Sequence, residues 1–242
     1  MTLRKTVDET EIVISTDTEY LRKLYQEGKP VILLINSENK SDDTSFARYA
    51  IEMDEEDIDE ISDILTEDYC RLVIARCQNK PLIITRTDRI TVRELSKEDA
   101  LSVYDMYNSG EVPFLEAFFK SLDEAREYLG KYIEEVYGFY GFGIWGIFET
   151  SDDKFIGLAG FSPRDSMDID LGNESEYLIS LEMGYALSKD YRKKGYAYEA
   201  CNALLGYAKD NIEYSEIFVN INRDNKDAIL LAKKLGLKIR IF

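Results

Sequence analysis

The segment Tyr191-Arg192-Lys193-Lys194-Gly195-Tyr196-Ala197 places three cations directly before a glycine and close to a small residue. It lies between an apolar stretch, Tyr177 to Leu187, that reads as a long strand, and a stretch from Gly195 to Lys209 that reads as a helix. The first turn of a helix presents N–H groups with no intrahelical acceptor, together with a partial positive charge. Gly195 lets the backbone come close to an anion, and Ala197 is too small to fill the space. Arg192, Lys193 and Lys194 add charge that suits a pyrophosphate. The R-x-x-G-x-A pattern thus has a binding reading, set against the plain one of a solvated basic turn ahead of a helix.

The composition narrows what else the chain can do. The 242 residues include no histidine, which excludes Ser-His-Asp triads, Cys-His pairs and histidine metal sites. Proton transfer must fall to Glu, Asp, Tyr, Lys, Cys or water. The three cysteines, Cys70, Cys77 and Cys201, show neither a disulfide pattern nor a CxxC spacing. A reducing, cytoplasmic setting without a bound metal is expected. A formal charge of −17 repels phosphate backbones, so nucleic acid is not an expected partner. The same charge welcomes an amine, although solubility alone also accounts for it. No run of 18 apolar residues occurs, and the start lacks the apolar stretch of a secretory signal, so no membrane partner is expected.

The elements that must position these residues fall into two halves. Residues 1–88 read as a small α/β domain with no assignable role. Glu11–Ser15 is a short strand, Glu19–Glu27 a helix stopped by Gly28, and Val31–Ile35 a continuous apolar run typical of a buried parallel strand. Ile58, Ile61, Ile64 and Leu65 recur at helical spacing within an acidic stretch, a second helical stretch runs to about Asn79, and Leu82-Ile83-Ile84 is a further strand candidate. Cys70 and Cys77 lie on one helical face and read as small buried residues. No nucleotide fingerprint occurs here. Residues 89–242 read as a mixed sheet with helices on both faces, in the order β-α-α-β-β-β-α-β-α-β. Arg89–Leu95 alternates as a half-buried strand, Ser96 and Asp99 form a capping box, and Ser121–Val136 is a helix. Phe142–Glu149 and Phe155–Phe161 form a hairpin. Glu216–Asn222 is a strand, Asn225–Leu235 a helix stopped by Gly236, and Lys238–Phe242 a last strand.

The flanks of the basic loop carry a resemblance. Glu182, Gly184, Tyr185 and Leu187 precede it, Glu199 and Ala200 follow it, and Asn225, Leu231, Lys234, Leu235 and Gly236 come later. With Tyr191, Arg192, Lys194, Gly195, Tyr196 and Ala197, and the hairpin Tyr140–Trp145 and Ile156–Gly160, this half resembles the GNAT superfamily of N-acetyltransferases. It is most similar to the branch that includes ribosomal-protein N-terminal acetyltransferases. The resemblance implies a GNAT-type acyl-CoA N-acyltransferase fold over about residues 89–242, preceded by the small α/β domain.

The resemblance also implies chemistry. Acetyl-CoA would lie where two parallel strands splay apart, those ending near Leu187 and Asn222. Its pantetheine arm would pair with the backbone of Tyr185, Ala186 and Leu187, and its pyrophosphate would rest on Arg192, Lys193, Lys194, Gly195, Tyr196 and Ala197. Asn225 would complete the cofactor site. An amine, either a small molecule or a peptide N-terminus, would attack the thioester directly, with Glu182 as general base. A structural partner for Glu182 is the competing reading. Three positions depart from the pattern. Ala232 stands where many relatives carry a tyrosine acid, Ala228 replaces the usual serine, and the chain ends at Phe242 after what would be the penultimate strand. The uncovered edge would be filled by the N-terminal half or by a second copy in a homodimer, or the site would be unusually open. These departures also leave room for a non-catalytic CoA-binding sensor or interaction module. The aromatics Tyr132, Tyr137, Phe139, Tyr140, Phe142 and Trp145 read either as core or as the lining of an acceptor pocket.

Overall fold

The run Val31–Ile35 is apolar at every position because both faces of its strand are covered. Val13, Val31 and Leu33 pack with Leu21 and Leu24 on one face. Ile12, Ile14, Ile32 and Leu34 pack with Ile61, Leu65, Cys70 and Val73 on the other. In the computed structural model, which describes residues 1–53, 61–112, 114–115, 117–164 and 179–242, this core belongs to the first of two units, Met1–Leu82. Its sheet has the order β1 (Thr2–Val7), β2 (Thr10–Ser15), β3 (Val31–Ile35), β4 (Ala50–Glu52). The β1–β2 pair is antiparallel; β2–β3 and β3–β4 are parallel. Helix α1 (Thr18–Gln26) is capped by the Asp17 carboxylate on the Tyr20 N–H, so Asp17 has a local structural job. Helix α2 is described over Ile61–Ile64, and Ile58, which the periodicity also includes, lies outside the described residues. Helix α3 (Glu67–Cys77) starts at the Thr66 cap and buries Cys70, while Cys77 is half-buried. Strands β1 and β4 are polar or short, and their sequences signal neither.

The second unit, Ile83–Phe242, holds a seven-stranded sheet in the order β11-β10-β9-β8-β7-β6-β5. Strand β5 (Ile83–Arg86), read from the sequence as part of the first half, pairs antiparallel with β6 (Ile90–Arg93) and so belongs to this sheet. Strands β7 (Ile144–Glu149), β8 (Phe155–Arg164) and β9 (Ile179–Leu187) continue the antiparallel run. The strand expected from Tyr177 is described from Ile179 onward. Strands β10 (Tyr214–Ile221) and β11 (Lys238–Ile241) then add in parallel. Each parallel step is made by a crossover helix, α7 (Tyr196–Asn211) between β9 and β10 and α8 (Lys226–Leu235) between β10 and β11.

Between β6 and β7, the capping box appears as read: Asp99 accepts from the Ser96 N–H at 2.7 Å and from Arg93 at 2.9 Å. It opens a 3₁₀ turn, Lys97–Asp99, that leads into α4 (Ala100–Asn108). The helix read from Ser121 to Val136 is α-helical only over α5 (Leu122–Tyr132). It then widens into a π turn, Ile133–Tyr137, before the short α6 (Gly138–Tyr140). Tyr137 is 2% exposed, and its hydroxyl donates to the Ile144 carbonyl at 2.6 Å. The widened turn carries that buried contact. Of the other aromatics, Trp145 and Phe142 are core, whereas Phe139 is 80% exposed.

Candidate active site

Strands β9 and β10 pair only as far as Glu182 and Phe218. Beyond that point β9 runs on to Leu187, while β10 runs to Ile221 paired with β11 on its other side. The two strands therefore part, and the edge of β9 from Met183 to Leu187 faces a gap in the sheet. Two cavities meet there. One, of about 350 Å³, is lined by Tyr185, Ala186, Leu187, Arg192, Lys193, Gly195, Ala197 and Asn225, among others. The other, of about 380 Å³, is lined by Glu182, Met183, Gly184 and Asn220, among others. Val112, Tyr185, Ala186, Asn225 and Ala228 border both. Eight of the residues expected around a cofactor thus converge on one end of a through-sheet cleft, and the expected base sits at the other.

The basic loop forms the far end. Gly195 adopts φ +88° as the residue that opens α7, a conformation that costs little only without a Cβ. The first intrahelical bond of α7 runs from the Glu199 N–H to the Gly195 carbonyl, so the N–H groups of Tyr196, Ala197 and Tyr198 lie ahead of it. These amides and the helix dipole favour an anion. The side chains divide. Arg192 donates to the Leu187 carbonyl at 2.9 Å and to the Glu111 carbonyl at 2.8 Å, so it ties the loop to β9 and to the segment after α4. Lys193 borders the cavity, exposed, with Asp227 at 3.9 Å. Lys194 and Tyr196 are not among the lining residues of either cavity. The Lys194 ammonium lies 5.8 Å from the Tyr191 ring. The Tyr196 hydroxyl donates to Glu149 at 3.2 Å, and its ring lies under the Arg89 guanidinium at 4.5 Å. Neither side chain therefore borders the cleft.

A brace beneath the loop escaped the sequence reading. Glu149, at the end of β7, accepts from Tyr191 at 3.0 Å and from Tyr196. Arg89 donates to Glu199 at 2.7 Å and to the Lys194 carbonyl at 3.2 Å, and Thr87 also donates to Glu199. Burial alone would raise the Glu199 carboxyl, but the hydrogen bonds from Thr87 and Arg89 outweigh it and hold it below the usual range. Only the alternation of Arg89–Leu95 hinted that this strand mattered; nothing in its sequence points to α7.

Near the fork, Glu182 lies with its side chain 18% exposed, and its Oε2 accepts from the Arg164 guanidinium at 2.7 Å. Both readings of this residue have a basis here: it borders the cleft and it has a structural partner. The Tyr185 hydroxyl donates to the Ala228 carbonyl at 3.1 Å, and burial raises its pKa. Asn225 spends its side-chain oxygen on the Ala228 N–H at 3.2 Å as the cap of α8. Ala232 is fully buried, so the position at which many relatives carry a tyrosine is packed into the core. Among the described residues no group of His, Cys, Asp and Glu is arranged to hold a metal ion, and no helix is long and apolar enough to cross a membrane.

This geometry agrees with what the chain is similar to. Residues 89–238 match the acetyltransferase (GNAT) domain family. The chain is 27% identical over 165 residues to the uncharacterized N-acetyltransferase YjdG of Bacillus subtilis (strain 168), across 64% of this chain and 89% of that protein. It is 25% identical over 152 residues to the uncharacterized protein YkkB of the same organism, across 62% and 83%. Among solved structures, a Bordetella pertussis protein assigned to the GNAT family superposes with a TM-score of 0.50 at 20% identity, covering 62% of this chain and 86% of that one. With the family pattern matched over most of the chain and the splayed strands and glycine-led helix in place, the protein belongs to the GNAT acetyltransferase family, whose acyl donor is acetyl-CoA.

Proposed function

We propose that the chain transfers an acetyl group from acetyl-CoA to a primary amine by direct attack in a ternary complex. The observation that carries this reading is the continuous cleft, with amides of a helix start at one end and Glu182 at the other. The amides of Lys193 to Ala197 hold the pyrophosphate. The β9 edge at Tyr185 and Ala186 pairs with the pantetheine arm as an added strand would. The Leu187 carbonyl is already taken by Arg192. Asn225 offers its amide hydrogens, because its oxygen caps α8.

Bound acetyl-CoA supplies a thioester carbonyl as the electrophile. The acceptor arrives as an ammonium ion, and Glu182 Oε1 takes its proton directly or through water, since Oε2 is held by Arg164. The freed amine nitrogen forms a bond to the acetyl carbon, the carbon–sulfur bond breaks, and the electron pair leaves with sulfur. The proton remaining on nitrogen is lost to water and the thiolate takes up one from solvent. A thiolate needs little help in leaving, which makes a buried Ala232 tolerable. Arg164 is more than half exposed, so water screens the ion pair.

A second reading, a CoA-binding module without turnover, is favoured by that same ion pair and by Ala232. One assay separates the two. Free-thiol release from acetyl-CoA is followed with a panel of amines and short peptides, alongside thermal shifts with CoA. Amine-dependent release supports the transferase. A saturable shift without release from any amine supports the binding module, and no shift at all removes both readings.

A further inference from the structure

A third cavity, of about 130 Å³, opens between α4, α5 and the sheet. Tyr107, Ile144 and Leu158 border both this cavity and the one that holds Glu182, so it branches from the acceptor arm of the cleft. We propose that the acceptor is an amine bearing an aromatic ring, and that this side cavity takes the ring while the amine faces Glu182. The inference rests on the acetyl-transfer reading above and adds the acceptor's class to it.

Size, lining and exposure all point this way. The volume is close to that of apolar cavities known to hold benzene, about 150 Å³. Hydrocarbon from Leu95, Val103 and Leu129 forms the floor, and no charged side chain lines the wall. A second ammonium, as on a polyamine, would find no carboxylate there. The surrounding rings already form an edge-to-face array: Tyr107 and Phe119 lie 5.5 Å apart at 79°, Phe118 and Tyr128 5.3 Å apart at 75°. Aromatic rings prefer such geometry at centroid separations of about 4.5–7 Å, so one more ring extends an existing pattern. Phe118 is 58% exposed and Tyr128 40% exposed. Large aromatics at the rim of a cavity, left exposed by the packing around them, are surfaces that an incoming ring covers. Burial also keeps the Tyr107 and Tyr128 phenols neutral, with Tyr132 pushed up to about 12, so the wall carries no charge near neutral pH.

The test is steady-state kinetics of the full chain at saturating acetyl-CoA. The amines are phenethylamine, cyclohexylethylamine, ethylamine and spermidine, with Phe118→Ala and Tyr128→Ala alongside the unaltered protein. The expected result is a kcat/KM for phenethylamine at least about 10-fold above that for ethylamine, with cyclohexylethylamine between them and spermidine low. Phe118→Ala should reduce the phenethylamine-to-ethylamine ratio severalfold. Should that variant misfold, Tyr128→Ala, at a second rim position, carries the same expectation. Equal kcat/KM for phenethylamine and ethylamine, or a preference for spermidine, overturns the aromatic acceptor and leaves acetyl transfer standing. If acetyl-CoA binds and none of these four amines releases thiol, the aromatic acceptor falls, and the wider panel of amines and peptides decides the transferase reading.

Discussion

Replacing Gly195 by alanine tests the geometry of the cofactor loop with a single methyl group. Gly195 has φ +88°, where a side chain costs about 1–2 kcal/mol. The new Cβ would lie 3.4 Å from the Arg89 guanidinium, an ordinary contact, so no clash adds to that cost. Stiffening of the unfolded chain by alanine returns roughly 0.4–1 kcal/mol. Alanine is also a poorer residue than glycine at the start of a helix. The balance is a loss of about 1 kcal/mol. For a unit of this size that lowers the melting temperature by about 2–4 °C. The coenzyme effect should be separate and larger, since the amides that Gly195 orients are those offered to the pyrophosphate. Thermal denaturation of the full chain without ligand measures the first effect, and titration with CoA measures the second. A variant as stable as the parent would refute the positive-φ argument. A destabilised variant with parental CoA affinity would refute the assignment of the pyrophosphate to this loop.

Other outcomes follow from the same geometry. Glu182→Gln should keep CoA affinity while kcat falls by about 10²–10⁴; equal turnover would remove Glu182 as the base. Arg89→Met should raise the dissociation constant for CoA by up to about fivefold, because it removes an ion pair and a ring contact worth roughly 1 kcal/mol together, and unchanged affinity would show that the brace under α7 is idle. Lys238 and Arg240 hold the Glu216 carboxyl below its usual range, as Thr87 and Arg89 hold Glu199. Such lowered groups contribute stability above the unfolded pKa of about 4.3 and lose it as pH falls through the folded value. The melting temperature should therefore drop below about pH 4.5, and a flat profile down to pH 3 would contradict this. Burial raises the thiol pKa of Cys70 and of Cys201, the latter to about 12. Neither should react with a thiol reagent at pH 7 until denaturant is added, and three rapidly titrating thiols in the native chain would disprove it.

Much of this protein was legible in residue order, because the signals involved are local. The glycine before α7, the Asn225 cap of α8 and the Ser96–Asp99 box each follow from contacts within a few residues, and the β3 run shows its burial in consecutive apolar residues. The R-x-x-G-x-A pattern marked a candidate anion site, and the family resemblance marked Glu182 as a candidate base. What local signals do not carry is register and partner choice. The parting of β9 and β10 after Glu182 and Phe218 depends on pairing between segments far apart in sequence. That Tyr196 turns from the cleft toward Glu149 depends on which face of α7 meets the sheet. Strand β5 joins the second sheet through hydrogen bonds its own residues do not announce. The Arg164–Glu182 ion pair spans β8 and β9, and the ring-lined side cavity is assembled from α4, α5, the segment between them and two strands. Composition and spacing thus determined which chemistry was available, whereas long-range packing decided which of those side chains share a cleft.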